Sequence, residues 1–138
     1  MISQRARYAI RAVFNVADRS TPVSAAVIAE EEAIPKKFLE AILADLKQAG
    51  FLASSRGKNG GYLLALPPAE ISFADILRVI DGPLALAPCA SRTAYRRCAD
   101  CKDVETCETR KALLRVRDAT AEILENRRFD ETGRTERP

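Results

Sequence analysis

The four cysteines are the most constraining feature of this sequence, because all of them lie between positions 89 and 107 of a 138-residue chain. They are Cys89, Cys98, Cys101 and Cys107, so that eight, two and five residues separate successive cysteines. Four thiolates this close in sequence, two of them in a C-x-x-C arrangement, are sufficient for a tetrahedral zinc site or an iron-sulfur cluster. The spacing therefore predicts a metal-binding loop over residues 84–107.

Two other roles for these cysteines compete with a metal site. Cysteine is often a small buried apolar residue, but neighbours such as Arg96, Arg97 and Lys102 are charged, which is not typical of a core. A disulfide requires an oxidising compartment, whereas residues 1–17 contain three arginines and no apolar segment typical of an export signal. We therefore expect a cytoplasmic protein whose cysteines are metal ligands.

The sequence contains no histidine. This excludes Ser-His and Cys-His catalytic pairs, histidine-liganded metals and Cys2His2 fingers, so any metal ligand must be a cysteine or a carboxylate. No apolar segment reaches the length of about 18 residues needed to cross a bilayer, and we expect a soluble protein. With 47% hydrophobic residues, the chain can form one domain with a core, or a small domain with an appended helix.

The net charge of +3 comes from the N-terminal part of the chain. Residues 1–60 hold nine Lys and Arg against six Asp and Glu, whereas residues 61–138 hold thirteen of each. A local basic surplus is a weak indication of nucleic-acid binding, and an ordinary solvated surface can produce the same surplus.

Helical periodicity in the first fifty residues predicts a helix-turn-helix. The first predicted helix, residues 3–18, has Ile10, Val13, Phe14 and Ala17 on one side and Arg7 and Arg11 on the other. Ser24 is expected to cap a second helix that ends near Ala33, and Pro35 to begin a third that ends at Gly50. The apolar stripe of this third helix is Leu39, Ile42, Leu43 and Leu46. A helix pair joined by a tight turn, with Lys36 and Lys37 near the start of its last helix, is typical of a DNA-reading unit.

A β-hairpin is expected directly after the third helix. Residues 51–55 and 62–66 are short strand-like segments, and the Gly-rich residues 56–61 between them include Arg56 and Lys58. A hairpin in this position is a wing. Its glycines allow a backbone to approach a groove or a phosphate closely, which favours a nucleic-acid contact over a flexible surface loop.

The residues after the wing predict a further capped helix. Ser72 and Asp75 have the spacing of a capping box, and Ile71 and Ile76 that of a hydrophobic staple. This helix is expected to end at Gly82, so that residues 1–83 form a winged helix-turn-helix domain.

A long helix over residues 104–127 follows the cysteine loop. At 1.5 Å per residue it is about 36 Å long, which is too long for so small a domain to cover. A second copy of the chain is the expected cover, in a twofold dimer, although the helix could instead pack on its own domain. Residues 128–138 are polar and are expected to form a disordered tail.

The order of several segments carries a family resemblance. The most specific are RYAI at residues 7–10, IPKKFLE at residues 34–40 and SRGKNGGYLL at residues 55–64, followed by IDG at residues 80–82. With the cysteine loop and the long final helix, they resemble the Rrf-type family of bacterial winged-helix transcription regulators over residues 1–127. The resemblance implies a mainly α-helical fold with a small β-hairpin wing. It also implies a homodimer that binds a palindromic double-stranded DNA operator. We expect no membrane partner, and no small-molecule substrate is evident from the sequence.

The resemblance implies which residues contact DNA, with the third helix in the major groove and the wing in the minor groove. Arg56 corresponds to the wing arginine of the family, and Pro35, Phe38 and Glu40 occupy positions that read bases in IscR-like members. The full predicted set is Arg5, Arg7, Ser24, Pro35, Lys36, Lys37, Phe38, Glu40, Arg56, Gly57, Lys58, Asn59 and Gly60.

Many family members carry an iron-sulfur cluster on three loop cysteines, and this chain departs from their ligand pattern. Cys101 and Cys107 match the last two ligands, but Cys89 lies farther upstream and Cys98 is extra. IscR-like members have a histidine ligand where this chain has Arg110, and NsrR-like members take a carboxylate from the first helix, near where this chain has Arg7. A four-thiolate site that includes Cys98 is therefore expected to hold a 2Fe-2S or 4Fe-4S cluster, with zinc as the alternative.

Charge predicts how such a site would act. Four thiolates around zinc, or around a cluster core of charge +2, leave a net charge of about −2, which the charged residues between positions 89 and 111 offset. If Asp103 caps the last helix, the Cys107 thiolate lies in the first turn, where the helix dipole stabilises an anion. Metal binding would then fix the start of the dimerisation helix and the spacing of the two DNA-reading units.

Other functional classes are less consistent with the sequence. A small iron-sulfur or thiol redox protein without DNA binding is the second hypothesis, and the predicted helix-turn-helix and wing argue against it. A thiol-redox-sensing regulator of the same fold is also open. No base lies beside any cysteine, and no phosphate-binding loop or carboxylate pair stands out, so we do not expect an enzyme.

Overall fold

The computed structural model describes residues 2–130, which form five α-helices and one antiparallel β-hairpin. The elements are α1 (Gln4–Ala17), α2 (Ala25–Glu32), α3 (Lys36–Gln48), β1 (Leu52–Ser55), β2 (Gly61–Leu64), α4 (Phe73–Asp81) and α5 (Glu108–Asn126). Two short 3₁₀ turns, Pro68–Glu70 and Pro88–Ala90, lie before and after α4. None of the helices in the described part of the chain is long and apolar enough to span a membrane. The predicted mainly α-helical fold with a β-hairpin wing is confirmed.

The core lies between α1, α2, α3 and the start of α4. The predicted stripe of α3, formed by Leu39, Ile42, Leu43 and Leu46, is completely buried. The residues that α1 contributes to the same cluster are Ala9, Ala12, Val13 and Val16. Ile10 and Phe14, which were predicted to face the core, lie at its edge and are partly buried. The alanines of α1 therefore face the core, and each large aliphatic residue of α3 buried there stabilises the fold by about 1.5–3 kcal/mol.

Local capping determines where the first helices begin. The Ser3 hydroxyl accepts a hydrogen bond from the backbone N–H of Ala6 (3.0 Å), and the Ser24 hydroxyl accepts one from Val27 (3.2 Å). Ala33 ends α2 in the left-handed conformation, with φ of 53°, which makes the turn into α3 tight. Pro35 is the N-cap of α3 and not its first helical residue, one position away from the prediction.

The wing is attached to the helix-turn-helix through Val23, which lies before α2. The backbone N–H of Val23 donates to the Tyr62 carbonyl (2.9 Å), and the Tyr62 N–H donates to the Val23 carbonyl (2.7 Å). A Cβ atom on Gly61 would lie 2.4 Å from the carbonyl carbon and oxygen of Val23, so this contact requires glycine. Both predicted strands are present, although β2 begins one residue earlier and ends two residues earlier than expected.

The predicted capping box at the start of α4 is confirmed. The Ser72 hydroxyl accepts from the Asp75 N–H (3.1 Å), and the Asp75 carboxylate accepts from the Ser72 N–H (2.9 Å). Ile71 and Ile76 are both completely buried, as a hydrophobic staple requires. At the other end of α4, the Asp81 carboxylate accepts hydrogen bonds from both the backbone N–H and the hydroxyl of Ser3. The end of α4 is thus joined to the start of α1.

The last helix begins later than predicted. α5 starts at Glu108 and not at residue 104, and its N-cap is Cys107 and not Asp103. The Asp103 carboxylate instead accepts a hydrogen bond from the backbone N–H of Glu105 (2.9 Å), in a local turn of the kind that competes with helix formation. The 19 residues of α5 are about 28 Å long and pack on α4 and the turn Pro88–Ala90.

The residues directly after α5 correct the prediction of a disordered tail over residues 128–138. Phe129 is 4% exposed, and its ring centroid lies 4.7 Å from that of Phe14 and 5.0 Å from that of Phe73. The Phe129 N–H donates to the Ile71 carbonyl (3.2 Å), and the Phe73 N–H donates to the Arg127 carbonyl (2.9 Å). An aromatic side chain that fills an apolar cleft outweighs the polar composition around it. Residues 131–138, the rest of the predicted tail, lie outside the described residues.

We predict that Phe129→Ala destabilises the protein by about 3–5 kcal/mol, because it removes the buried ring that joins α1, α4 and the end of α5. Urea unfolding followed by circular dichroism measures this change. The neighbouring exposed residue Asp130 provides the control, and Asp130→Ala should stay within about 0.5 kcal/mol of the wild type. Equal stabilities of the two variants would show that Phe129 does not anchor this segment.

Candidate DNA interface and cysteine cavity

The first turns of α3 present a polar surface to solvent. The exposed residues here are Pro35, Lys36, Lys37, Phe38 and Glu40. Lys36 Nζ lies 3.9 Å from Glu40 Oε1, but both side chains are more than half exposed, so this pair contributes little. Phe38 is 42% exposed and stands edge-on to Tyr8 of α1, with ring centroids 5.7 Å apart. Cations together with a fixed apolar side chain suit contacts with phosphates and base edges.

The wing tip also presents cations to solvent. Arg56, Gly57, Lys58 and Asn59 are exposed, and no hydrogen-bond or ion-pair partner for Arg56 or Lys58 is found among residues 2–130. The glycines were expected to let the backbone approach DNA closely, and the structure shows a different requirement for one of them. A Cβ atom on Gly60 would lie 2.2 Å from the Ser55 carbonyl oxygen, so Gly60 is needed by the turn itself. Gly57, with φ of 104°, has open space around it.

The remaining residues predicted to contact DNA differ in whether their side chains are already engaged within the protein. Arg5 forms an ion pair with Asp45 of α3, so its charge is used within the protein. Arg7 is exposed and has no ion-pair partner in the described part of the chain. The Ser24 hydroxyl is engaged as the N-cap of α2. Arg5 is therefore a weaker candidate for a phosphate contact than Arg7.

All four cysteines line one cavity of about 440 Å³, together with Thr109 and Arg110. None of them forms a disulfide: Cys89 is buried, Cys101 and Cys107 are partly buried, and Cys98 is exposed. The structure thus brings together the four residues that the sequence predicted as one site, at the N-terminus of α5.

Different elements position the cysteines. Cys89 lies in the 3₁₀ turn Pro88–Ala90, whereas Cys98 and Cys101 share a tight turn in which the Cys101 N–H donates to the Cys98 carbonyl (3.2 Å). Arg97 Nη2 donates to the carbonyl of Cys101 (3.0 Å), which holds this turn from outside. As the N-cap of α5, Cys107 accepts a hydrogen bond on its Sγ from the backbone N–H of Arg110 (3.4 Å).

The thiols of the cavity influence one another. A hydrogen bond between the side chains of Cys98 and Cys89, and then the negative charge of Cys89, raise the pKa of the Cys98 thiol above its ordinary value. Smaller contributions come from burial and from the charges of Asp100 and Cys107. Because metals bind the thiolate, a metal that used Cys98 as a ligand would have to displace the proton of its thiol.

The donor set fits a thiolate-bound metal or cluster. The cavity contains four sulfur atoms, which is the number that tetrahedral zinc or an iron-sulfur cluster requires. Within residues 2–130, however, no three Cys, Asp or Glu side chains converge closely enough to form a ready metal site. A metal held here would therefore require the four sulfur atoms to move closer together.

From the sequence, Arg110 was expected only as one of the cations that offset the charge of the thiolates, and Arg117 was not identified. Arg110 Nε donates to the Cys89 carbonyl (3.0 Å), and Arg117 Nη1 donates to the Ala90 carbonyl (2.9 Å). The hydrogen bond from Arg117 to the Asp118 carboxylate, with the nearby charges of Arg117 and Arg92, lowers the pKa of Asp118. Their spacing of seven residues places both arginines on one side of a helix, and this was the available signal.

Comparison with known proteins shows the family to which this chain belongs. The Rrf2 family, described as iron-dependent transcriptional regulators, matches residues 2–132. An rrf2-like helix-turn-helix transcriptional regulator of Rhodobacter capsulatus is 44% identical over 121 residues, which are 84% of this chain and 81% of that protein. CymR, a transcriptional regulator of Bacillus subtilis, is 29% identical over 127 residues, which are 91% and 83% of the two chains.

Solved structures show the same similarity. The structure of CymR, the global cysteine regulator of B. subtilis, superposes with a TM-score of 0.79 at 27% identity, over 99% of this chain and 98% of that chain. The structure of IscR from T. potens superposes with a TM-score of 0.75 at 25% identity, over 100% and 93% of the two chains. This chain therefore belongs to the Rrf2 family of transcriptional regulators and has their winged-helix DNA-binding fold.

Proposed function

We propose that the protein binds palindromic operator DNA as a homodimer, and that an iron-sulfur cluster on Cys89, Cys98, Cys101 and Cys107 sets its affinity for the operator. In this proposal α3 enters the major groove, the wing tip contacts the adjacent minor groove, and zinc is the alternative metal. The observation that carries the proposal is the single cavity that contains all four cysteines at the N-terminus of α5. The same helix leads from this cavity to the core of the DNA-reading domain.

The exposed residues of α3 and the wing support the DNA contact. Lys37, Arg56 and Lys58 are exposed, and Arg56 and Lys58 have no internal partner among the described residues. Cations of this kind neutralise phosphates and release counterions. Phe38, held edge-on by Tyr8, presents an apolar surface suited to a thymine methyl group.

The uncovered side of α5 supports a homodimer. Val116 and Ile123 are 43% and 69% exposed, and Val116 lines a groove of about 260 Å³ together with Leu77, Leu86 and Leu124. A helix side of this composition is expected to be buried against a partner. A twofold pairing of α5 helices would bring two wings and two α3 helices to one face of DNA.

The chain itself provides a route from the cysteine cavity to the reading domain. The four cysteines would hold the cluster, which supplies a centre that responds to iron supply and to oxidants. Because Cys107 is the N-cap of α5, a change at its sulfur acts on the first turn of this helix. At the other end, the backbone of Arg127 and Phe129 is bonded to Phe73 and Ile71 at the start of α4. A displacement of α5 is therefore passed to the core that supports α3.

A thiol-redox switch within the same fold is the second candidate. The shared cavity favours it, because Cys89 and Cys98 are both free thiols and both line this cavity. In metal-free protein, a hydroperoxide would then convert these thiols to a disulfide and be reduced to an alcohol and water. Loss of two hydrogens in the peptide mass, with operator affinity changed and no metal present, would identify this mechanism.

One preparation tests the main proposal. The protein is purified without oxygen, its visible spectrum is recorded, and iron, sulfide and zinc are assayed. Binding to DNA from upstream of its own gene is then measured by gel shift before and after metal removal. If the preparation contains no metal, or if both forms bind DNA equally, the proposed coupling is wrong.

We predict that Cys107→Ser loses the metal and changes operator affinity while most of the helix content remains. Serine lacks the sulfur ligand but is a good N-cap, so α5 should still begin at this position. Metal analysis, gel shift and circular dichroism measure the three properties. Thr109→Ser, in the same cavity but without loss of a thiol, is the control and should resemble the wild type.

Ile123→Lys is expected to weaken the dimer at least roughly tenfold, since loss of one buried isoleucine costs about 1.5–3 kcal/mol. Sedimentation equilibrium measures the dissociation constant. Glu122→Lys also introduces a lysine, at the adjacent exposed position and with a charge change of +2 rather than +1, and should leave the dimer nearly unchanged. A monomeric wild type, or equal effects of the two lysines, would contradict dimerisation through this side of α5.

Arg56→Ala should weaken operator binding and make the slope of log K on log salt shallower by about 2 per dimer, because each lost cation releases about 0.9 counterion fewer. The control is the double variant Arg5→Gln with Asp45→Asn, which removes an internal ion pair without changing net charge. Its slope should match that of the wild type. If the double variant made the salt slope shallower by more than Arg56→Ala does, this assignment of the DNA contacts would be wrong.

A further inference from the structure

We infer that Arg110 is a positioning residue for the cysteine site and that it holds Cys89 and Cys107 at a fixed separation. The inference rests on the proposed metal site and extends it, since Arg110 cannot itself be a ligand. Its guanidinium stays protonated and has no lone pair to offer a metal. Its effect must therefore come from what it holds in place.

Arg110 contacts both ends of the cysteine segment. Its backbone N–H donates to Cys107 Sγ (3.4 Å), and its side-chain Nε donates to the carbonyl of Cys89 (3.0 Å), which is 21 residues upstream. The residue is partly buried and lines the same cavity as the four thiols. One residue of α5 thus connects the turn that carries Cys89 with the helix N-cap formed by Cys107.

This connection favours a metal site by ordering part of it in advance. Cys89 and Cys107 are held before any metal arrives, so binding has to order mainly the Cys98–Cys101 turn, and less conformational entropy is lost.

Arg117 offers an internal comparison. Its Nη1 also donates a hydrogen bond to a carbonyl of the turn Pro88–Ala90, in this case that of Ala90 (2.9 Å), the residue after Cys89. Arg117 lines the apolar groove beside α5, where it also pairs with Asp118, and does not line the cysteine cavity. Both arginines attach the turn Pro88–Ala90 to α5, but Arg110 alone of the two also lies among the thiols.

The test compares Arg110→Met, Arg110→Lys and Arg117→Met in the full-length protein, prepared metal-free and reduced. Co²⁺ titration, followed by Zn²⁺ competition, gives the affinity of the thiol site without any DNA assay. Alkylation with N-ethylmaleimide, resolved cysteine by cysteine by mass spectrometry, reports how firmly Cys89 is held when no metal is present. Circular dichroism confirms that each variant keeps its helices.

We expect Arg110→Met to lower Zn²⁺ affinity by roughly 10- to 100-fold, and Arg117→Met to stay within about threefold of the wild type. Arg110→Met should also speed alkylation of the buried Cys89 in the metal-free protein. Arg110→Lys keeps the charge but not the planar donor geometry, so it should lie between the wild type and Arg110→Met.

Three results would overturn the inference. The first is that Arg110→Met has the Zn²⁺ affinity and the Cys89 alkylation rate of the wild type. The second is that Arg110→Lys behaves like the wild type, because charge alone would then explain the effect. The third is that Arg117→Met is as impaired as Arg110→Met. If the wild type binds neither Co²⁺ nor Zn²⁺, the proposed metal site itself fails. The alkylation rates of Cys89 would still decide in that case whether Arg110 holds this residue.

Discussion

The packing of Phe129 against Phe14 and Phe73 joins the segment after α5 to the N-terminal domain, and the position of α5 depends on this contact. Through it the chain, after passing along α5 away from the cysteine loop, returns to the core of the N-terminal domain. Two backbone hydrogen bonds, from Phe129 to Ile71 and from Phe73 to Arg127, make this return a fixed junction. Without it α5 would be joined to the reading domain chiefly by its contacts with α4. With it, the chain that leaves the cysteine loop along α5 is anchored in the core that also contains α3.

The charged residues contribute to this arrangement mainly through geometry. The ion pairs between Arg78 and Glu125 and between Arg92 and Asp118 join α4 and the cysteine loop to α5, but their side chains are well exposed. Pairs of this kind are typically worth less than about 1 kcal/mol. The partly buried bonds from Arg110 and Arg117 to backbone carbonyls differ, because a carbonyl left without its donor in a buried turn costs about 1–3 kcal/mol. The loop is therefore held to α5 at specific points, and its exposed ion pairs add little to the strength of this attachment.

The sequence allowed prediction of those parts of the fold that depend on neighbours along the chain. Ser24, the capping box of Ser72 and Asp75, and the stripe of α3 were found because caps and amphipathic periodicity are local signals. The start of α5 was misplaced because two residues competed as its cap, and Asp103 was engaged in its own turn. The burial of Phe129 was missed because its partners lie far away in sequence, at positions 14 and 73. Likewise, the grouping of the four cysteines followed from spacing, but their support by Arg110 depended on how α5 meets the turn Pro88–Ala90.

The contact of Gly61 with Val23 fixes the strands of the hairpin to the rest of the domain but not its tip. Through the two hydrogen bonds between Val23 and Tyr62, the segment before α2 pairs with β2 as a short third strand. The strands of the wing are therefore fixed to the helix-turn-helix close to the point where the tip begins. In the proposed DNA complex, the conformational entropy lost on binding would then fall mainly on the tip that bears Arg56 and Lys58. A wing built in this way could adapt its tip to the local width of a groove while its strands keep a constant angle to α3.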